Sequence, residues 1–311
     1  MTNDVTDYDL FDYDYREYWK ARQYEDLAER NVLQKILKGE SGKWFLDIGG
    51  SYGRLTSTYY KKYSNPIILD YSIKTLQKNR KNILSKYPNV ELIAGNAYKM
   101  PFKQNTFDGA MMVRVLHHIE NIPEYFEEVH KVMNGNAIYI QEIPNKIHIK
   151  ASLKAIAHLN FKFFNQTPYE HPLSEHNAQG TAQGLKGIFY NYHPKDIQKK
   201  LETAGFSIEK RYGCSFLRIP LLKKFLNPST MIFFEKLLQN SLSWTNIPPS
   251  IFLVCRTKNT PQLDSPLKLE DVLVCPKCKG DLDFSSKSKA ICKKCSTVYT
   301  KKEDIWDFRT M

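Results

Sequence analysis

From Trp44 to Glu142, short apolar runs alternate with longer stretches in which apolar residues recur every three or four positions. The short runs read as strands buried on both faces and the longer stretches as helices that cover them, a pattern that builds a parallel sheet. Strands are expected at Trp44 to Ile48, Ile67 to Asp70, Val90 to Ala94, Phe107 to Val113 and Ala137 to Glu142, and again at Phe206 to Tyr212 and Ile251 to Arg256. A helix from about Tyr15 to Lys38 precedes them. Ser72 to Tyr87 reads as a helix that Ser72 caps and Pro88 follows, and Pro194 to Ala204 as one that Gly205 closes.

The alternation lapses twice. Between Pro144 and Tyr192 a stretch carrying Gly180, Gly184 and Gly187 reads as a lid, a binding loop or a disordered segment, and Leu217 to Gln239 reads as a helical insertion. The chain therefore divides into an N-terminal helical segment (1–42), an α/β domain (43–257) with insertions at about 144–192 and 214–249, a polar linker (258–266) and a small C-terminal module (267–311).

Composition narrows the picture modestly. The 311 residues, 42% of them hydrophobic, suffice for a full core, so a disordered or fibrous chain is excluded. No run reaches the roughly 18 apolar residues of a membrane span, and the acidic start from Met1 to Asp14 lacks the features of a signal peptide; a cytoplasmic location is expected. The net charge of +12 is uneven, with Asp4, Asp7, Asp9, Asp12, Asp14 and Glu17 at one end and Lys277, Lys279, Lys287, Lys289, Lys293 and Lys294 at the other. It fits either a solvated surface or an anionic partner such as nucleic acid or lipid.

The segment KWFLDIGGSYGRL, Lys43 to Leu55, is a strand running into a glycine-rich turn that opens a helix. A nicotinamide dinucleotide turn needs glycines at its first, third and sixth positions, and from Gly49 those places hold Gly49, Ser51 and Arg54, so that match fails. What stands instead is Asp47 two residues before the first glycine, then Gly49, Gly50 and Gly53, with Asp70 ending the next strand. A carboxylate at the second strand's tip can accept both hydroxyls of a ribose, and one below the turn can meet an ammonium directly or through water.

The ordered segments DIGGSYGRL, ILDYS, IAGNAYKMPFKQNTFDGAMMVRVLHHI and PEYFEEVHKVMNGNAIYIQE resemble the class I S-adenosylmethionine-dependent methyltransferases, and YHPKDIQKKLETAGFSIEKR extends the likeness. The resemblance implies a Rossmann-like, seven-stranded, mostly parallel sheet with helices on both faces, and S-adenosyl-L-methionine as cofactor. It implies that Asp47, Gly49, Gly50, Ser51 and Gly53 line the cofactor, that Asp70 with Tyr71 holds the ribose, that Asn96 with Ala97 faces the adenine, and that Val113 and Arg114 border the site. At the end of the fourth strand, Arg114 reads either as a partner for the cofactor carboxylate or an acidic substrate or as a plain surface arginine. Two positions depart from the family's pattern: Ser51 replaces the second glycine of the turn, and Asn96 replaces the adenine-binding aspartate.

Methyl transfer from a sulfonium is a displacement in which alignment does most of the work, so no catalytic base is obligatory. If the acceptor must lose a proton, His117, His118 and His193 are the candidates, each near the carboxyl edge of the sheet. The plainer readings are a strand-to-helix turn for the first two and a helix cap for the third. Phe161, Phe163, Phe164, Tyr169, Phe189, Tyr190 and Tyr192 in one insertion, with Leu221, Leu222, Phe225, Phe233 and Phe234 in the other, suit an apolar acceptor pocket or a cap with its own core.

Cys275, Cys278, Cys292 and Cys295 form two CxxC pairs, the pattern of a closed four-thiolate structural zinc site. Two disulfides or a redox dithiol are the alternatives, which the expected cytoplasmic location and the doubled spacing disfavour. Cys214 and Cys255 read as buried small hydrophobes. The module from Leu267 to Phe308, VCPKCKGDL above all, resembles the small zinc-ribbon activators that partner methyltransferases acting on transfer RNA, ribosomal RNA and translation factors. The resemblance implies an intramolecular contact in which the ribbon covers an apolar surface of the catalytic domain. Three functions remain open: methylation of a small molecule or lipid, methylation of RNA or a translation protein, and a catalytically silent scaffold.

Overall fold

The computed structural model describes residues 9, 15–172, 188–258, 260–264 and 266–309. In chain order the elements are α1 (Tyr15–Lys20), α2 (Gln23–Ile36), β1 (Gly42–Ile48), β2 (Tyr63–Asp70), α3 (Ile73–Lys86), β3 (Glu91–Ala94), β4 (Phe107–Met112), α4 (Ile122–Val132) and β5 (Met133–Pro144). There follow α5 (Ile149–Ala157), β6 (Tyr169–Pro172), β7 (Ile188–Asn191), α6 (Pro194–Thr203), β8 (Phe206–Cys214), α7 (Pro220–Phe225), α8 (Pro228–Ser241) and β9 (Ser250–Thr257). The C-terminal module holds α9 (Leu269–Val272), β10 (Leu282–Ser286), β11 (Lys289–Cys292), β12 (Val298–Lys302) and β13 (Ile305–Asp307).

Seven strands stand in the order β3-β2-β1-β4-β5-β9-β8, the first five mutually parallel and β9 antiparallel to both its neighbours. Sequence separation explains the directions. Crossover helices α3 and α4 return the chain to the same end, whereas β8 reaches β9 through α7 and α8 on one edge. The caps behave as read. Ser72 Oγ accepts from Thr75 N, and Gly205, with φ of 98°, follows α6 in the left-handed conformation that glycine tolerates best.

Three expectations need correction. The N-terminal helix is two helices, α1 and α2, interrupted at Ala21 and Arg22. The insertion expected at Leu217 to Gln239 is also two helices, because Asn227 Oδ1 accepts from Thr230 N and, with Pro228 behind it, starts α8 afresh. The stretch after Pro144 carries α5, a short turn at Phe161–Phe164 and the β6–β7 hairpin; Gly180, Gly184 and Gly187 lie outside the described residues.

The largest difference concerns the sheet. It is eleven-stranded and mixed, because β13 pairs in parallel with β3 and brings the antiparallel strands β10 to β12 with it. Ile305, Trp306 and Asp307 stand beside Leu92, Ile93 and Ala94, and Phe308 N donates to Ala94 O at 2.8 Å. An exposed β3 would present a row of unpaired backbone groups, and the C-terminal module satisfies them. The core is continuous across the seam: Trp306, Phe308, Tyr299 and Leu273 join one buried cluster with Ile93, Met100 and Phe102. Lys279 Nζ crosses it too, reaching Met100 O at 2.7 Å and Glu128 at 2.5 Å, so one of the C-terminal lysines serves packing.

Trp306 is 2% exposed, and its truncation leaves a cavity under the seam. The Trp306→Ala variant is expected to lose about 3 kcal/mol of stability in urea denaturation. An unchanged midpoint would show that the seam contributes nothing.

Candidate active site

The turn after β1 is built by close approach. A Cβ at Gly49 would lie 2.4 Å from Val115 Cγ2, and one at Gly50 would lie 2.8 Å from the Asp47 carboxyl carbon. Ser51 takes a left-handed φ of 49°, and its N–H donates to Asp70 Oδ2 at 2.9 Å while Ser72 N donates to Oδ1 at 2.9 Å. Two of the carboxylate's lone-pair sites are thereby used and two remain. Ser51 Oγ is buried with no hydrogen-bond partner among the described residues, a polar atom in want of a ligand at the heart of the turn.

Both carboxyls are perturbed. Burial pushes Asp47 up to about 7, against the hydrogen bond it accepts from Tyr59 Oη at 2.9 Å. Burial likewise raises Asp70 to about 6, against the two backbone donors. At the next tip, Asn96 Oδ1 accepts from Tyr98 N at 2.8 Å, which sets Ala97 in a tight turn and leaves a second lone pair on the oxygen. Beyond Asp70, Asp9 accepts from Ser72 Oγ and from Arg309, and the Arg309 guanidinium lies 5.9 Å from the Tyr71 ring centroid. Residues from the first and last described parts of the chain thus meet beside Asp70.

Arg114, expected to face a cofactor or an acidic substrate, is instead turned onto Glu29 of α2. Its Nε and Nη2 reach Glu29 Oε1 at 2.6 and 2.5 Å, while Arg54 Nη2 holds the other oxygen at 2.6 Å. Arg114 N also donates to Glu142 Oε2 at 3.1 Å, which fixes the residue at a φ of 63° beside half-buried Val115 and buried Val113. Burial opposes ionisation of Glu29, but Arg114 and then Arg54 outweigh it and hold the carboxyl below its ordinary range. Arg54 is itself stacked 3.5 Å over Trp19 of α1. The N-terminal helices are therefore bolted over the glycine turn by an ion cluster.

His117 and His118 lie side by side with ring centroids 4.0 Å apart, and each sits 4.9 Å from Phe189 of β7. Burial lowers His118 to about 3 and His117 well below its ordinary value, so both rings are neutral near pH 7. Tyr192 Oη donates to Ile119 O at 2.5 Å and pins the hairpin against this wall. His193 stands apart in role: its Nδ1 accepts from Lys195 N at 3.2 Å and caps α6.

In the C-terminal module the four cysteines converge, their Sγ atoms all within 4.8 Å of one another. Cys275 and Cys295 are 3.6 Å apart and Cys278 and Cys292 3.4 Å, none of them in a disulfide. Tetrahedral zinc with Zn–S near 2.3 Å places sulfurs about 3.8 Å apart, so the set fits that ion. Backbone N–H groups of Lys294 and Cys295 point at Cys292 Sγ at 3.4 Å, as thiolates require. Cys214 and Cys255 are buried as read.

The sequence did not single out Glu29, Glu142, Arg54 or Tyr59. One signal was there. Glu25 and Glu29 share the face of α2 that carries Ala28, Val32, Leu33 and Ile36, and an acid on an apolar face asks for a partner.

A profile of the methyltransferase domain matches residues 45–136. An uncharacterised protein of Methanocaldococcus jannaschii is 28% identical over 218 residues, covering 70% of this chain and 81% of that one. A 24-methylenesterol C-methyltransferase of Arabidopsis thaliana is 29% identical over 116 residues, 37% of this chain and 30% of that enzyme. Among solved structures, the complex of a methyltransferase activator with a methyltransferase from Haloferax volcanii matches with a TM-score of 0.51 at 12% identity, over 79% of this chain and 99% of that one. The chain carries a methyltransferase domain and is a methyltransferase on the Rossmann-like fold of the S-adenosylmethionine-dependent enzymes.

Glu29 is fully buried, so among the described residues removing it leaves the Arg114 guanidinium with only a 3.9 Å contact to Glu142 and Arg54 with Asp26 alone. Glu29→Ala is expected to cost about 3 to 5 kcal/mol in chemical denaturation near pH 7. Because the folded carboxyl titrates below its ordinary value of 4.5, this stabilisation is full above that value and fades as pH falls through the lower folded one. The gap between variant and parent should close on acidification; a gap independent of pH would contradict the ion cluster.

Proposed function

We propose that the chain transfers a methyl group from S-adenosyl-L-methionine to a small apolar or lipid acceptor, with a structural zinc ion holding its C-terminal ribbon. The observation that carries the cofactor reading is the turn itself, where an unpartnered Ser51 hydroxyl and the open lone pairs of Asp70 lie together at the strand tips. Asp70 with Tyr71 would hold the ribose, Asn96 and Ala97 the adenine, and Asp47, Gly49, Gly50, Gly53 and Val113 the remainder. Bound there, the cofactor supplies an electrophilic methyl on a positively charged sulfur.

The chain's own part is to orient the acceptor and exclude water. Phe189 and the two neutral imidazoles offer an apolar wall with acceptor nitrogens at the carboxyl edge of the sheet. Rings made so weakly basic by burial are poor proton acceptors, so His117 and His118 fit hydrogen bonding to an acceptor hydroxyl or enol better than outright base catalysis. The lipid class is supported by the sterol enzyme among the relatives and by the apolar insertions. The runner-up, RNA or a translation protein, is favoured by the exposed Lys287, Lys289, Lys293 and Lys294 of the ribbon; salt-sensitive retention on RNA would support it.

Calorimetric titration with S-adenosylhomocysteine should show one site, weakened at least about tenfold in Asp70→Ala, as expected for a lost charge-assisted bond. Affinity should also fall as pH drops from 8 to 5.5, because Asp47 and then Asp70 take up protons near 7 and 6. No binding by the parent chain would leave the scaffold reading. Metal analysis should return one zinc per chain, and chelation should lower the melting temperature, since the metal's binding energy is folding energy for the ribbon. A metal-free protein with an unchanged melting temperature would refute the zinc site.

A further inference from the structure

Helix α5 is inverted. Ile149, Leu153 and Ile156 recur at the spacing that shares one helical face, yet all three are exposed, and the one buried residue, Ala155, lies on the opposite face. Leu153 is 58% exposed. The same inversion recurs in the second insertion. On α7, Phe225 is 72% exposed, and on α8 Phe233, Phe234 and Leu237 face outward while Met231, Glu235 and Gln239 face in.

These segments are neighbours. Ile149 N donates to Ile247 O at 3.1 Å and Lys150 Nζ to Arg218 O at 3.1 Å, so the start of α5 meets both the turn into α7 and the loop after α8 that carries Trp244, 77% exposed. Strand register places their roots at one level, because Pro144 and Cys214 both pair with Ser250. That level is the carboxyl edge of the sheet, the edge on which the candidate site opens.

Charge says what covers this face. From 149 to 169 there is no acidic residue, and from 216 to 250 the only one is Glu235, which is buried and bonded to Tyr24. Lys154, Lys162, Lys224 and Lys236 are exposed among the apolar side chains. Outward aliphatic and aromatic residues with an indole and a lysine fringe match a bilayer with acidic headgroups, which takes apolar groups into its boundary and cations at its surface. No described helix is long and apolar enough to cross a membrane, so the contact is peripheral.

We propose that the outward faces of α5, α7 and α8, with Trp244, seat this protein on the surface of an anionic phospholipid bilayer. The inference rests on the lipid-acceptor reading for its purpose, presenting the cleft to an acceptor dissolved in the bilayer, but not for its test. The purified full chain, without cofactor, is floated with vesicles of phosphatidylcholine alone and with vesicles containing phosphatidylglycerol. Expected is flotation with the anionic vesicles that weakens with salt and falls at least about tenfold in Leu153→Glu/Phe225→Glu. The ribbon-surface control Val298→Glu should float like the parent, and circular dichroism should give all three chains the same melting temperature. No flotation of the parent at low salt, or flotation undiminished in the double variant, would overturn the proposal. So would a concentration-dependent dimer, seen without flotation and lost in that variant, which would make a second copy the occupant. Methyl transfer is assayed separately on soluble acceptor analogues, so failure of the chemistry and failure of docking remain distinct.

Discussion

Two carboxylates must be kept out of bulk water at adjacent strand tips, and much of the structure around the cleft serves that constraint. Asp47 has one side-chain partner, Tyr59, and Asp70 has two backbone donors. Neither has a guanidinium or ammonium within salt-bridge distance among the described residues, which is why burial wins and both titrate high. An arrangement that leaves anionic groups short of compensation stores binding free energy for a ligand that brings the missing donors. The neighbouring cations relieve it only in part: Arg54 draws Asp47 down somewhat without overcoming burial, because Arg54 and Arg114 are already committed to Glu29 and Asp26.

That commitment ties the site to the periphery. Helix α2 supplies Glu29, α1 supplies the ring over Arg54, and α8 packs on α2 through Glu235 and Tyr24. The ion cluster is stabilising only while it is complete, since burial makes each unpaired member costly. On the opposite flank β3 depends on β13 for its outer hydrogen bonds, and β13 is held in a ribbon with little core apart from the one it shares with the domain. The tip of β3 that leads to Asn96 is therefore backed by a strand that arrives more than two hundred residues later.

The strands and the crossover helices were legible because periodicity of buried apolar residues is a local property. Ser72, His193 and Gly205 were legible for the same reason: caps are decided within a few residues. What the sequence could not show was which edge the C-terminal module would join. Its cysteine spacing marks a ribbon without saying what the ribbon pairs with, and the parallel pairing of Ile305 to Asp307 with Leu92 to Ala94 is a long-range choice. Nor could Arg114 be placed, since its position at a strand end suits a ligand as well as it suits Glu29, and only the packing of α2 decides. The outward turn of α5 was hidden similarly. An apolar stripe of period 3.6 marks a buried face in most helices, and the fold alone reveals that this one points to solvent.

The most direct test of the account follows the methyl group itself. Protein incubated with methyl-tritiated S-adenosylmethionine and a total cell extract is partitioned between organic solvent and water. Label in the organic phase, lost when Asp70 is replaced by alanine, is the result this structure predicts. Label retained in the aqueous macromolecular fraction and released by ribonuclease or protease would contradict it.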